Sequence, residues 1–212
     1  MEIESVKRIG TAFSFIAFPV MLLAGFLLHP NLLDLSPEKQ LVTWIPEWRG
    51  EFLFHFGHLL VLFTVPLIIV ACLHFMHRLR GSWFGFVGGI LGIFGAFMLA
   101  VDKGALTLVL TAFQEIPDQQ FEGIYPALQA LLDRGGWLWI TWAFALLPIG
   151  VIVQVIGLLR QGDIPRWQGY CIIAGLLLLM NPDIEIISAA GALLMCAGFI
   201  PVGIGLLAAR RA

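Results

Sequence analysis

The stretch Phe52–Met76, FLFHFGHLLVLFTVPLIIVACLHFM, decides the fold: twenty-five residues pass without one Asp, Glu, Lys or Arg. As a helix it would measure about 37 Å, more than the roughly 30 Å of hydrocarbon in a bilayer. Glu51 stands before it, and His77 and Arg78 follow it, so charge is confined to its ends. The stretch reads as a membrane span.

Working outward, the same pattern recurs at Ile9–Leu28, at Trp83–Val101 with an extension to Phe113, at Trp137–Leu159, at Trp167–Met180 and at Ile186–Ala209. The fifth of the six is short, because Asn181-Pro182 stops it after about fourteen residues. Nothing alternates as the strands of a closed barrel must. The expectation is an all-α bundle of six transmembrane helices, a single integral membrane domain over residues 1–212.

Composition agrees. Of 212 residues, 59% are apolar and 12% charged, and mean hydropathy is +0.93. A soluble domain carries about 25% charged residues. Soluble, disordered and fibrous classes fall away, and a net charge of −2 offers no basic face for nucleic acid. The partner to expect is the lipid bilayer. Lys7 and Arg8 before the first run resemble a signal peptide, but the apolar run is too long and no small-x-small site follows it, so an uncleaved span is expected. Cys72, Cys171 and Cys196 each lie inside an apolar run and read as small apolar residues.

With the N-terminus inside, Lys7, Arg8, Arg78, Arg80, Arg160, Arg166, Arg210 and Arg211 are cytoplasmic, eight of the twelve basic residues. The positive-inside rule then predicts both termini in the cytoplasm and a location in the cytoplasmic membrane. On the outer side, His29–Arg49 carries Pro30, Pro37, Pro46, Trp44 and Trp48. Asp118–Arg134 sets Phe121, Ile124, Leu128, Leu131 and Leu132 on one side, an amphipathic helix for the outer surface. Together the two segments would form a lid.

Small residues recur in the third span at Gly85, Gly88, Gly89, Gly92 and Gly95. They predict close helix approach, either within the chain or as a homodimer seam. Pro19, Pro66, Pro148 and Pro201 predict kinks.

Ionisable groups at membrane depth are costly and therefore candidate functional groups. Glu51, His55 and His58 are spaced i, i+4, i+7 at the outer end of the second span. Counting from Trp83 brings Asp102 and Lys103 to a similar depth, about 30 Å along the third helix. The short fifth span brings the turn Asn181-Pro182-Asp183-Ile184-Glu185 near the same level. Imidazole and carboxylate suit zinc, manganese or iron, so Glu51, His55, His58 and Asp102 form a candidate metal set. Asp102, Lys103, Asn181, Asp183 and Glu185 are candidate ligand or proton groups. The alternative is structural: a solvated helix start, interfacial histidines and a self-compensating Asp102–Lys103 pair.

His74 and His77, beside Arg78 and Arg80, read as interfacial groups at the inner end. Bis-histidine haem is disfavoured, since the span histidines His55, His58, His74 and His77 all lie on one helix. Three function classes follow. The first is an outward-facing pocket for a metal, or for a small or lipidic ligand, with metal-assisted hydrolysis as its enzymatic form. The second is a transporter of protons, ions or small solutes, opposed by the apolar Leu62, Val65, Ile69 and Val151–Val153 below the cluster. The third is a non-catalytic subunit meeting a membrane or extracytoplasmic partner.

Overall fold

The structure, a computed structural model, describes residues 3–30, 32–33, 35, 49–132, 139, 142–181 and 184–209. Seven helices are described: α1 (Ile3–Leu27), α2 (Phe52–Arg78), α3 (Trp83–Phe113), α4 (Asp118–Leu132), α5 (Leu146–Gln161), α6 (Arg166–Leu179) and α7 (Glu185–Ala208). No strand occurs among the described residues. Five stretches are long and apolar enough to cross a membrane: Ile3–Leu27, Phe52–Arg78, Trp83–Ala105, Trp142–Gln161 and Glu185–Ala208. With 14 residues, α6 falls short of that length. These are the helices of an integral membrane protein.

Six of the helices pack in a ring, α1 against α2, α2 against α3, α3 against α5, α5 against α6, α6 against α7, and α7 back against α1. Phe13, Phe63, Phe94 and Leu193 turn outward, as a lipid-facing surface requires. Inside, Phe15 of α1, Phe75 of α2 and Phe199 of α7 pack ring to ring, with centroids 5.1 Å apart for Phe15–Phe75 and 6.0 Å for Phe15–Phe199.

Glycines set the spacing of the ring. A Cβ on Gly150 of α5 would stand 2.2 Å from the Gly92 nitrogen and 2.5 Å from the Gly88 oxygen of α3. Gly95 meets the backbone of Leu147, Gly85 meets Leu79, and Gly89 meets Met76. The glycine seam of α3 is therefore filled within the chain by α2 and α5, the intrachain packing that its spacing allowed. The same device joins α1 to α2 at Gly25–Gly57 and α6 to α7 at Gly175–Gly191.

Local signals explain the ends that matter. Ser82 caps α3, its hydroxyl accepting from the Phe84 amide at 3.2 Å. α3 then runs unbroken through Gly104 to Phe113, 31 residues or about 46 Å. Pro19, Pro66 and Pro201 lie inside helices, whereas Pro148 is the third residue of α5, where a missing amide proton costs no helical bond. α5 ends on Gly162 at φ +74°, and the Asp163 amide donates back to the Leu158 carbonyl at 2.9 Å. That cap turns Asp163 toward α2.

Asp118–Leu132 is helical as expected, and Phe121 is buried against Phe113, centroids 5.8 Å apart. The side chains of Leu128, Leu131 and Leu132 fall outside the described set, as do residues 36–48 of the expected lid.

Candidate functional site

One end of the bundle gathers polar groups from four elements. His29 follows α1, His58 comes from α2, Asp102 and Lys103 from α3, and Glu185 opens α7. The His29 and His58 rings lie 6.1 Å apart, centroid to centroid, inclined at 49°. His29 Nε2 stands 3.7 Å from Glu185 Oε1, with side chains 10% and 23% exposed. Lys103 Nζ pairs with Asp102 Oδ2 at 3.2 Å. Asp102 is buried. The Lys103 ammonium is near enough to act electrostatically on His29, His58 and Glu185 alike.

Each member has a distinct condition. Burial, with Lys103 adding to it, pushes the His29 imidazole down to about 4. At 3.7 Å the Glu185 contact is an ion-pair distance but too long for a hydrogen bond. His58 Nδ1 donates to the Phe54 carbonyl at 2.9 Å, which leaves Nε2 as the acceptor nitrogen. Glu185 Oε2 is buried with no hydrogen-bond partner among the described residues. Phe54 packs on both imidazoles, at 5.3 Å from His29 and 4.1 Å from His58.

Other candidates stand apart. Glu51 is exposed and sits at the N-cap of α2 with φ −83° and ψ 102°, its side chain making no cap bond. It is outside the helix, so the i, i+4, i+7 face does not include it. His55 turns one layer outward: Nε2 donates to the Arg49 carbonyl at 3.1 Å, and Nδ1 faces the Thr111 hydroxyl at 3.5 Å. Asn181 builds the α6–α7 turn, its amide donating to the Ile184 carbonyl at 3.2 Å and its own carbonyl accepting from Ser188 at 3.4 Å. Asp183 lies outside the described residues. Among the described residues no three His, Cys, Asp or Glu side chains are grouped to hold one metal ion, so Glu51, His55, His58 and Asp102 are not assembled as a ligand set.

Sequence reasoning missed His29. It is the first polar residue after the first apolar run, at the level the depth counts assigned to the other groups. It also removes the premise that every histidine near the core lies on one helix, although Phe54 occupies both rings where a macrocycle would have to lie.

A latch flanks the cluster. The Arg49 guanidinium pairs with Asp118, donates to the Ile116 carbonyl at 3.0 Å and lies 4.5 Å over the Phe121 ring. It ties the start of α2 to the start of α4. Between this end and the opposite one, the interior holds Val65, Ile68, Cys72, Val151 and Val155, with Ser14, Thr64 and Gln154 as polar members.

At the opposite end Arg78 Nη2 pairs with Asp163 Oδ2 at 3.3 Å, and Arg8 donates to the Ala209 carbonyl. His74 meets Phe15 edge-on at 5.5 Å. Comparison with protein-family models, curated proteins and solved structures finds no match for this chain.

Proposed function

We propose that this integral membrane protein binds a small or lipidic ligand with a polar head at its His29 end, and that this end faces away from the cytoplasm. The observation that carries the reading is the convergence of His29, His58, Asp102, Lys103 and Glu185 from four separate elements on one half-buried cluster. Such a group is expensive in hydrocarbon, and a purely structural set would leave no acceptor over. Here the buried Glu185 Oε2 and the His58 Nε2 remain as acceptors beside an ammonium. Lys103 would hold an acidic or ester oxygen, while His58 and Glu185 would take hydroxyl protons. The basic residues Arg8, Arg78 and Arg160 at the opposite end support the orientation. A reporter joined after Ala212 would then be active only in the cytoplasm.

The test is mass spectrometry of what the purified protein retains. Wild type should keep a small molecule or lipid that Lys103→Met and Glu185→Gln both lose. The same retained set in all three proteins would speak for a structural cluster. Stoichiometric zinc, manganese or iron removed by His58→Ala would move the reading to a metal centre completed from outside the described residues. Solute flux through unmodified protein in liposomes would favour the transporter. The apolar interior between the ends argues for no flux.

A further inference from the structure

The loop after α5 folds back against α2 and closes a cavity of about 310 Å³ at the Arg78 end. Its polar wall is His74 and Arg78 from α2, Asp163 from the loop and Gln168 from α6. Its apolar wall includes Leu158, Val202 and Leu206. Ligand sites begin at about this size and combine an apolar lining with a few convergent polar groups.

Three features make the polar wall positive. Arg78 presents a guanidinium whose Nη2 is engaged by Asp163 at 3.3 Å, with its remaining N–H groups left over. Pro165, also in the wall, opens the 14-residue α6 with no side-chain cap. The start of α6, its positive end, therefore borders the cavity. Arg8 reaches the carbonyl of Ala209, itself a wall residue, and its Nε is buried without a hydrogen-bond partner among the described residues. One guanidinium in the wall, a second bound to a wall carbonyl and a helix start thus accompany one carboxylate.

We propose that this cavity takes the phosphate of an anionic phospholipid, with the apolar wall receiving the glycerol and first methylenes. Arg78 and the α6 amides hold the phosphate oxygens, and Arg8 supplies the second positive charge. Basic pockets between membrane helices hold lipid head groups in this way. The inference is independent of what the His29 end binds.

Native mass spectrometry of the full chain in detergent tests it, with phosphatidylglycerol, phosphatidylcholine and inorganic phosphate as probes. Phosphatidylglycerol should bind at least tenfold more tightly than phosphatidylcholine. Arg78→Gln should abolish that preference. Asp163→Asn should strengthen it about threefold or more, because it removes the competing carboxylate. Loss in one variant with gain in the other cannot come from unfolding. Equal binding of the two lipids overturns the proposal, as does an unchanged preference in a folded Arg78→Gln protein. Displacement of phosphatidylglycerol by inorganic phosphate at similar concentration overturns the lipid as the source and leaves a free-phosphate site. No displacement supports the lipid.

Discussion

His29, just beyond the end of α1, faces His58, seven residues into α2, with their ring centroids 6.1 Å apart. Two imidazoles brought together beside Lys103 cannot both be protonated cheaply. His29 therefore remains neutral at ordinary pH, and acidification works against the fold.

This gives a pH dependence with a definite sign. His29 titrates near 6.5 when unfolded and at about 4 in the fold. Between these values the unfolded chain binds more protons, so stability should fall as pH drops from about 6.5 to about 4. The loss should be on the order of 3 kcal/mol across the window. Unfolding in detergent at stepped pH measures it, and His29→Gln should flatten the slope. An unchanged slope in that variant would remove His29 as the cause.

The Asp102–Lys103 pair should be strongly asymmetric under mutation. Asp102 is 6% exposed and its charge is met by Lys103 at 3.2 Å. Lys103→Met leaves that carboxylate buried and uncompensated, at a cost of about 3 kcal/mol. The double variant Asp102→Asn, Lys103→Met should recover most of the loss. A double variant as unstable as the single one would show that the pair is not the stabilising unit.

Gln154 offers a contrast between shape and polarity. It is fully buried, and Nε2 donates to the Cys72 carbonyl at 3.0 Å and the Gly85 carbonyl at 3.4 Å. Its Oε1 has no partner among the described residues. Gln154→Leu keeps the volume and removes the orphan oxygen, so it should stay within about 1 kcal/mol of wild type. Gln154→Glu sets an oxygen against two carbonyls and should cost about 2–3 kcal/mol. Reversal of that order in thermal unfolding would contradict the packing described for α2, α3 and α5.

Glycines at contacts and glycines in open space should behave oppositely. Gly150→Ala drives a Cβ into the backbone of Gly92 and should destabilise by about 2 kcal/mol or more. Gly205→Ala meets nothing within 4 Å and should stabilise α7 by roughly 0.5–1 kcal/mol. Both are read from melting temperature. Equal effects would argue against the α3–α5 seam.

Much of this architecture is legible in the chain because charge-free runs such as Phe52–Met76 are conspicuous. Depth counting along those runs set Glu51, His55, His58, Asp102 and Asp183 at one level; of these, His58 and Asp102 stand at the end of the bundle that also carries Lys103 and Glu185. It passed over His29, read as the start of a loop, because loops have no helical rise to count. Glu51 stands apart from His55 and His58 because the 3.6-residue period does not apply to a cap residue in extended backbone. The Arg78 cavity has no periodic signal, since it is made by the left-handed turn at Gly162 returning Asp163 to α2, a contact 85 residues apart (163 − 78).

The shortness of α6 has a consequence outside the protein. Fourteen residues rise about 21 Å, some 9 Å less than a typical hydrocarbon core. If α6 crosses the membrane as the sixth span, the bilayer on that flank has to dimple or its interfacial groups have to stretch to cover the deficit, at a fraction of a kcal/mol per ångström. The annulus of lipid would then be uneven around the molecule, thinnest along α6. Hydrophobic mismatch of this one-sided kind would favour shorter acyl chains beside α6 and thinner membranes.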